Sequence, residues 1–310
     1  MAAKSAYPLA GTVVMVRPHA FNFNPETAAS NPFQKPLRGL DPCQAQALAL
    51  KEFDKAVAAL EAAGVKALVF EDTDKPAKPD AVFPNNWFCT LPCGRLFTFP
   101  MVNKTRRSER RDDILSYLVR TQGYALEDSL VKLEGEGRAL EGTGSLVFDH
   151  GARLAYAALS PRTNEIALKR FEALSGYMAV PFRTTGPDGK PVYHTNVVMT
   201  LGPTFAAVGA ECIHPQDRDY VLGVLARSGK KILRFSSEQI FTAFAGNMLV
   251  LKGREGKPLL VMSEAARTSL TNAEVKILFD DFGCGIASIP IPTIERLGGG
   301  SVRCMLAEVF

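Results

Sequence analysis

The chain has 310 residues, 46% of them hydrophobic and 22% charged, with a formal net charge of +4. This is the composition of a soluble globular protein with room for a sizeable core, and no apolar run reaches the ~18 residues that a membrane-spanning helix needs. The charge is small for the length, and the densest basic patch, Arg106 to Arg111, is broken by Glu109 and followed by Asp112 and Asp113, which excludes a nucleic-acid stripe.

No secretory pattern follows Met1, and Cys43, Cys89, Cys93, Cys212, Cys284 and Cys304 lack the density of a disulfide scaffold. They read as reduced thiols, and a cytoplasmic location is expected. Cys89 and Cys93 are the only near pair, without a second pair or a histidine to complete a zinc site. Gly135-Glu-Gly137 lacks the later glycine of a dinucleotide loop, and no Gly-Lys-Ser/Thr phosphate loop occurs. Neither a metal nor an organic cofactor is expected.

In chain order, the β-branched segment Gly11 to Val16 is followed by a loop rich in Asn and Pro that runs to Pro42. Asp41-Pro-Cys-Gln44 starts a helix, with Asp as cap, Pro at the first helical position and Gln three residues past the cap. Ala49, Phe53, Val57 and Leu60 form its apolar stripe, Gly64 ends it, and a strand covers Lys66 to Phe70. Then comes a hairpin, Asn86 to Leu91 and Leu96 to Phe99 about Cys93-Gly94, and a helix from about Ser108 to Gly123. Glu141 precedes the strand Leu146 to Phe148, a turn at His150-Gly151, the strand Arg153 to Ala158 and a helix from Ser160-Pro161 to Gly176. His194 precedes Val197 to Met199, Phe205 to Val208 and a helix from Pro215 to Gly229. Asn247 precedes Met248 to Leu251, Leu259 to Met262 and a helix with the capping box Thr271-Asn-Ala-Glu274 that stops at Gly283.

The hairpins begin at Asn86, Glu141, His194 and Asn247, spaced by 55, 53 and 53 residues, and Cys304 follows 57 residues later. Self-similarity at this stride implies supersecondary units that stack because none buries its sheet face alone. Cys304 lies on the last strand, after Gly298-Gly-Gly300, and pairing of that strand with Thr12 to Val16 closes a ring. Equivalent strand ends then face one axis. A cysteine, a histidine and a carboxylate at such positions meet although they are distant in sequence. Of the four histidines, only His194 sits at a repeat-equivalent strand start. His19 lies in a loop beside Pro18, His150 in a hairpin turn and His214 at a helix start.

Four segments resemble those of the penteins, the guanidine-modifying superfamily of arginine deiminases, dimethylargininases, succinylarginine dihydrolase and amidinotransferases. Asp80-Ala-Val-Phe-Pro-Asn-Asn86 is similar to their substrate-binding strand, Leu140-Glu141-Gly-Thr-Gly144 to the segment of the catalytic carboxylate, His194-Thr-Asn196 to that of the catalytic histidine, and Gly298 to Met305 to that of the nucleophile. The resemblance covers nearly the whole chain in the right order. It implies an α/β fold, a five-fold pseudosymmetric propeller of ββαβ-like units around a central channel, with residues 1–310 as a single catalytic domain.

The resemblance also implies Cys304, His194 and Glu141 as catalytic residues, and Asp80, Asn86, Asn196 and Arg107 as substrate-binding residues; the repeat adds Asn247, otherwise a turn residue after Ala245-Gly246, as a candidate channel liner that binds substrate. Arg107 lies in a basic turn whose arginine meets the substrate carboxylate in relatives. Arg303 reads as a surface charge. Within the superfamily the Asp-Ala-Val-Phe-Pro-Asn-Asn-Trp run resembles the arginine-deiminase-related hydrolases assigned to citrulline utilisation. Where deiminases place acids against a guanidinium, this chain has Asn86 and Asn196; a carboxamide suits the neutral ureido group of citrulline. The implied reaction is hydrolysis through a covalent Cys304 intermediate. A free thiol is mostly protonated at neutral pH, so His194, held by Glu141, serves as base and then acid. Arginine or acylarginine hydrolases, an amidinotransferase and a non-catalytic binding protein of the same fold are the alternatives. The expected partner is a small amino-acid substrate, with no nucleic acid and no membrane; homo-oligomerisation is left open.

Overall fold

The computed structural model describes residues 7–37 and 39–310; residues 1–6, over which the leader expectation falls, lie outside the described residues. Its strands form five three-stranded sheets. β1 (Thr12–Arg17) and β2 (Lys66–Glu71) are parallel, joined by the helix Pro42–Ala62. The second sheet holds β3 (Phe88–Leu91), β4 (Arg95–Thr98) and β5 (Ala125–Glu127), and the third β6 (Val147–Asp149), β7 (Leu154–Ala158) and β8 (Met178–Phe182). The fourth holds β9 (Met199–Leu201), β10 (Phe205–Val208) and β11 (Lys231–Arg234), and the fifth β12 (Leu249–Lys252), β13 (Pro258–Ser263) and β14 (Gly285–Ile289). β15 (Ala307–Val309) completes the first sheet by pairing antiparallel with β1, Thr12 opposite Val309, as the sequence led one to expect.

All five sheets share one wiring. A first strand pairs antiparallel with a second, and a helical crossover returns a third strand parallel to the second. β15 is the first strand of its sheet. Sequence sorts the strands by depth: the short apolar segments FCTL, VFD and MTL of β3, β6 and β9 are buried throughout, whereas third strands such as β5 and β11 alternate or lie exposed. Apolar clusters join each sheet to the next. Val16 meets Phe88 and Leu96, Phe97 meets Phe148, Tyr156 meets Met199 and Val208, Met248 and Val250 join that group, and Leu251 and Val261 pack with Val13 and Met15.

Two helices differ from expectation. The helix expected from about Ser108 begins at Asp112 and is preceded by a separate turn, Lys104–Arg107; the buried pair Arg106–Glu109 ties the chain inward between the start of that turn and the helix. The helix expected from Ser160 begins at Glu165, where Asn164 accepts from the Ile166 and Ala167 amides; Thr163 instead bridges to Leu140. The capping boxes expected at Asp41 and Thr271 are present, and a third stands at Ser236 with Gln239. Among the described residues no helix is long and apolar enough to cross a membrane.

Candidate active site

Four first strands are entered through a single helical turn: Pro84–Asn86, Gly142–Ser145, Thr195–Val198 and Val302–Met305. The remaining one is entered at Asn247, whose amide donates to the Phe244 carbonyl at 2.8 Å. Asn86, Glu141, His194, Asn247 and Cys304 are all at most 4% exposed.

Glu141 and His194 are in direct contact. Oε2 of Glu141 accepts from His194 Nε2 at 2.8 Å and lies 3.5 Å from Arg162 Nη1, while Oε1 accepts from the Val102 amide at 3.1 Å. Burial pushes the Glu141 carboxyl up, but the Arg162 charge and the His194 hydrogen bond outweigh it and hold it at about 2. For His194 burial dominates and lowers the imidazole to about 4 despite Glu141. At neutral pH the pair is a carboxylate and a neutral imidazole. A carboxylate only accepts, so Nε2 carries the proton and Nδ1 keeps its lone pair. Gly144 makes this contact fit: a Cβ there would lie 2.7 Å from His194 Nδ1 and 2.5 Å from Asn86 Nδ2.

Cys304 Sγ is held by two carboxamides, Asn196 Nδ2 at 3.6 Å and Asn247 Nδ2 at 3.4 Å. The cavity in front of the sulfur is walled by other residues, and the two carboxamides meet Sγ from behind it. That cavity is walled by Asp80, Asn86, Arg106, Arg162, His194 and Cys304, with Gly298 to Gly300 on one side. Gly299, at φ 61°, takes the left-handed turn the glycine run allows.

Arg106, not Arg107, occupies the cavity. Its Nε and Nη2 fork onto Glu109 at 2.9 and 2.8 Å, and Nη1 donates to Asn86 Oδ1 at 2.7 Å. Arg107 turns the other way, donating to the Met101 and Val102 carbonyls and pairing with Glu134 at 3.5 Å. Arg303 is buried, not a surface charge, and donates to the Thr143 carbonyl at 2.7 Å. Asp80 accepts from Asn24 at 2.7 Å, Thr27 at 3.0 Å and Gln34 at 3.3 Å, and burial pushes its carboxyl up.

Sequence reasoning missed Asn24, Thr27, Asn31, Gln34, Arg162 and Tyr193. The first four belong to the Asn- and Pro-rich loop before Pro42, and a long connection without regular structure in a compact fold is itself a functional signal. Arg162 stands next to a proline and carries no such signal; its guanidinium lies 5.0 Å from the Tyr193 ring centroid. Among the described residues no group of three or more His, Cys, Asp or Glu side chains is placed to hold a metal ion.

Five like sheets with a buried cysteine, histidine and glutamate at their strand starts are those of a guanidine-modifying hydrolase of the pentein superfamily. The chain belongs to the family described as N,N dimethylarginine dimethylhydrolase, eukaryotic, whose model matches residues 17–310. A search of curated protein sequences finds no match. Among solved structures, the N-terminal domain of ArgZ, an arginine dihydrolase from the ornithine-ammonia cycle in Cyanobacteria, aligns with TM-score 0.73 and 15% identity over 96% of this chain and 97% of its own. AgrE in complex with L-arginine aligns with TM-score 0.72 and 15% identity over 96% of this chain and 40% of its own. A dimethylarginine dimethylaminohydrolase adduct with S-methyl-L-thiocitrulline aligns with TM-score 0.65 and 14% identity over 97% and 100%.

Proposed function

We propose that this chain is a cysteine-dependent citrulline hydrolase, producing ornithine, carbon dioxide and ammonia, with its five sheets arranged as a five-fold propeller around the channel that holds the site. The cyclic order in which the sheets pack supports the propeller.

One observation carries the substrate. Arg106 can only donate, so its bond to Asn86 Oδ1 fixes the amide orientation and leaves Asn86 Nδ2 as a buried donor without a partner. A ureido group has a carbonyl oxygen to accept from it. A guanidinium has only donors and would leave it unpaired. The neutral surroundings of Sγ agree, since its bonded neighbours are carboxamides and the Glu141 charge is taken up by His194 and Arg162.

In the reaction, His194 Nδ1 accepts the thiol proton and Sγ bonds to the ureido carbon. The bond from that carbon to the δ-nitrogen breaks as His194 returns the proton to it, releasing ornithine and leaving a carbamoyl thioester. His194 next deprotonates water, which attacks the thioester carbon. The C–S bond breaks, Sγ regains a proton, and carbamate decomposes to carbon dioxide and ammonia. Glu141 keeps the imidazole in the tautomer that frees Nδ1. The guanidiniums of Arg106 and Arg162 offer countercharge to the α-carboxylate, and Asp80 to the α-ammonium.

A second reading, arginine or a methylated arginine as substrate, is favoured by Asp80 on the cavity wall, by the dimethylarginine family description and by the arginine-binding AgrE. Mass spectrometry of products from citrulline, arginine, dimethylarginine and succinylarginine decides. The expected result is ornithine and ammonia from citrulline, without an amine acceptor, at a kcat/KM at least about tenfold above that for arginine. Equal or faster turnover of arginine or dimethylarginine overturns the citrulline reading.

A further inference from the structure

Asn247 stands where the other units place Asn86, Glu141, His194 and Cys304, yet it faces the sulfur rather than the cavity. We propose that Asn247 is a catalytic residue that holds the negative charge of the Cys304 thiolate, with Asn196 as the second donor. This rests on Cys304 being the nucleophile.

The geometry is that of a built contact. The Asn247 Nδ2 group has two hydrogens. One goes to the Asn196 carbonyl at 3.0 Å, which fixes the amide orientation, and the other is directed to Sγ at 3.4 Å; Asn247 Oδ1, at 3.6 Å, accepts from the protonated thiol, and that bond is given up when the proton leaves. The backbone around Asn247 is pinned to β9. Thr200 Oγ1 lies 2.7 and 2.8 Å from the Gly246 and Met248 carbonyls, which share its single proton, and it accepts from the Met248 amide at 3.1 Å. Gly246 is required, because a Cβ there would lie 2.1 Å from the Val197 carbonyl oxygen. Asn247 is thus held against the fourth sheet at a height set by backbone, not by a flexible side chain.

The chemistry needs such a donor. When His194 takes the thiol proton, a thiolate forms at a site only 4% exposed to water. Buried charge without hydrogen bonds is strongly disfavoured. The other charged or titratable groups facing Sγ are His194 with Glu141 behind it, Tyr193, Arg303 on the adjoining residue, and Arg106, Arg162 and Asp80 across the cavity. The N–H groups bonded to Sγ come from the two carboxamides.

The test is the pH dependence of Cys304 alkylation by iodoacetamide in the folded protein without substrate, followed by mass spectrometry of the Cys304 peptide. In Asn247→Ala the midpoint should rise by about one pH unit, so alkylation at pH 7 slows about tenfold. Asn247→Asp, which sets an anion beside the sulfur, should move it further, and Asn247→Ser, which keeps a donor, should restore most of the shift. A midpoint unchanged in Ala and Asp, with rates lowered uniformly across pH, marks a purely structural role and overturns the proposal. Should the Ala variant not fold, the Ser and Asp variants carry the comparison, and equal midpoints overturn it. These outcomes are independent of which substrate is turned over. Wild-type Cys304 alkylated no faster than the other five cysteines overturns the nucleophile assignment itself.

Discussion

Asn86 and an aspartate differ by one group, an amide where the acid has an oxygen, and the substrate argument rests on that group. In Asn86→Asp one oxygen still accepts from Arg106, while the other replaces the unpaired Nδ2 by an acceptor. A guanidinium satisfies that acceptor; a ureido oxygen is repelled by it. The ratio of kcat/KM for citrulline to that for arginine should fall at least about tenfold, equivalent to about 1.4 kcal/mol. An unchanged ratio, measured on both substrates with the same preparation, removes Asn86 from substrate choice. The Glu141–His194 pair makes a second, pH-dependent prediction. His194 is held at about 4 against an ordinary 6.5, so between those values the unfolded chain binds a proton that the folded chain refuses. Its contribution is complete above pH 6.5 and is lost as pH falls towards 4, roughly 3 kcal/mol in all. Glu141, held at about 2 against 4.5, adds a loss of the same sign between 4.5 and 2. Glu109, which burial raises to about 7, acts in the opposite sense over the same range, so the readout is the difference between variants: His194→Gln should lose the His194 part of the fall in urea midpoint between pH 7 and 4. An equally steep curve in the variant contradicts the neutral-imidazole assignment.

The turn Lys104–Arg107 sends two neighbouring arginines to opposite destinations. Arg107→Ala should change KM by less than about twofold. Arg106→Ala should raise KM and cost about 3–5 kcal/mol, because Glu109 would be left buried without its partner. Steady-state kinetics and denaturant curves read both, with Arg106→Lys as the milder variant, and a larger KM effect from Arg107 would reverse the assignment. The sequence shows that a basic turn lies here, but not which arginine points inward, since that depends on a helical phase only a few residues long. Helix starts were legible where a side chain caps the backbone, as at Asp41 and Thr271, and glycine marked their ends. The third strands were harder to see: β5 is three residues, Ala125-Leu-Glu127, with no alternation long enough to stand out. The loop before Pro42 was legible as a loop only. Its contacts to Asp80 and Arg162 depend on how it folds back across the site, which local sequence does not encode.

The stride of 53 to 57 residues announced the repeat and the meeting of Glu141, His194 and Cys304. It did so because each unit contributes the same turn before the same buried strand. The stride also placed Asn247 at an equivalent strand start, and the structure sets its amide, with that of Asn196, against the sulfur. The missed members, Arg162 and Tyr193, stand outside those strand starts.

The pairing of β1 with β15 also has a temporal side. Thr12 waits for Val309 across roughly three hundred residues of chain, a separation that makes this ladder among the most non-local and slowest contacts to form. On the ribosome, β1 emerges before β15, and one of its edges stays open until β15 follows, a template for pairing with other nascent chains. The turn carrying Cys304 leads directly into β15. The thiol reaches its two carboxamides only as that open edge is sealed, so a polypeptide released before β15 lacks the buried cluster around Sγ.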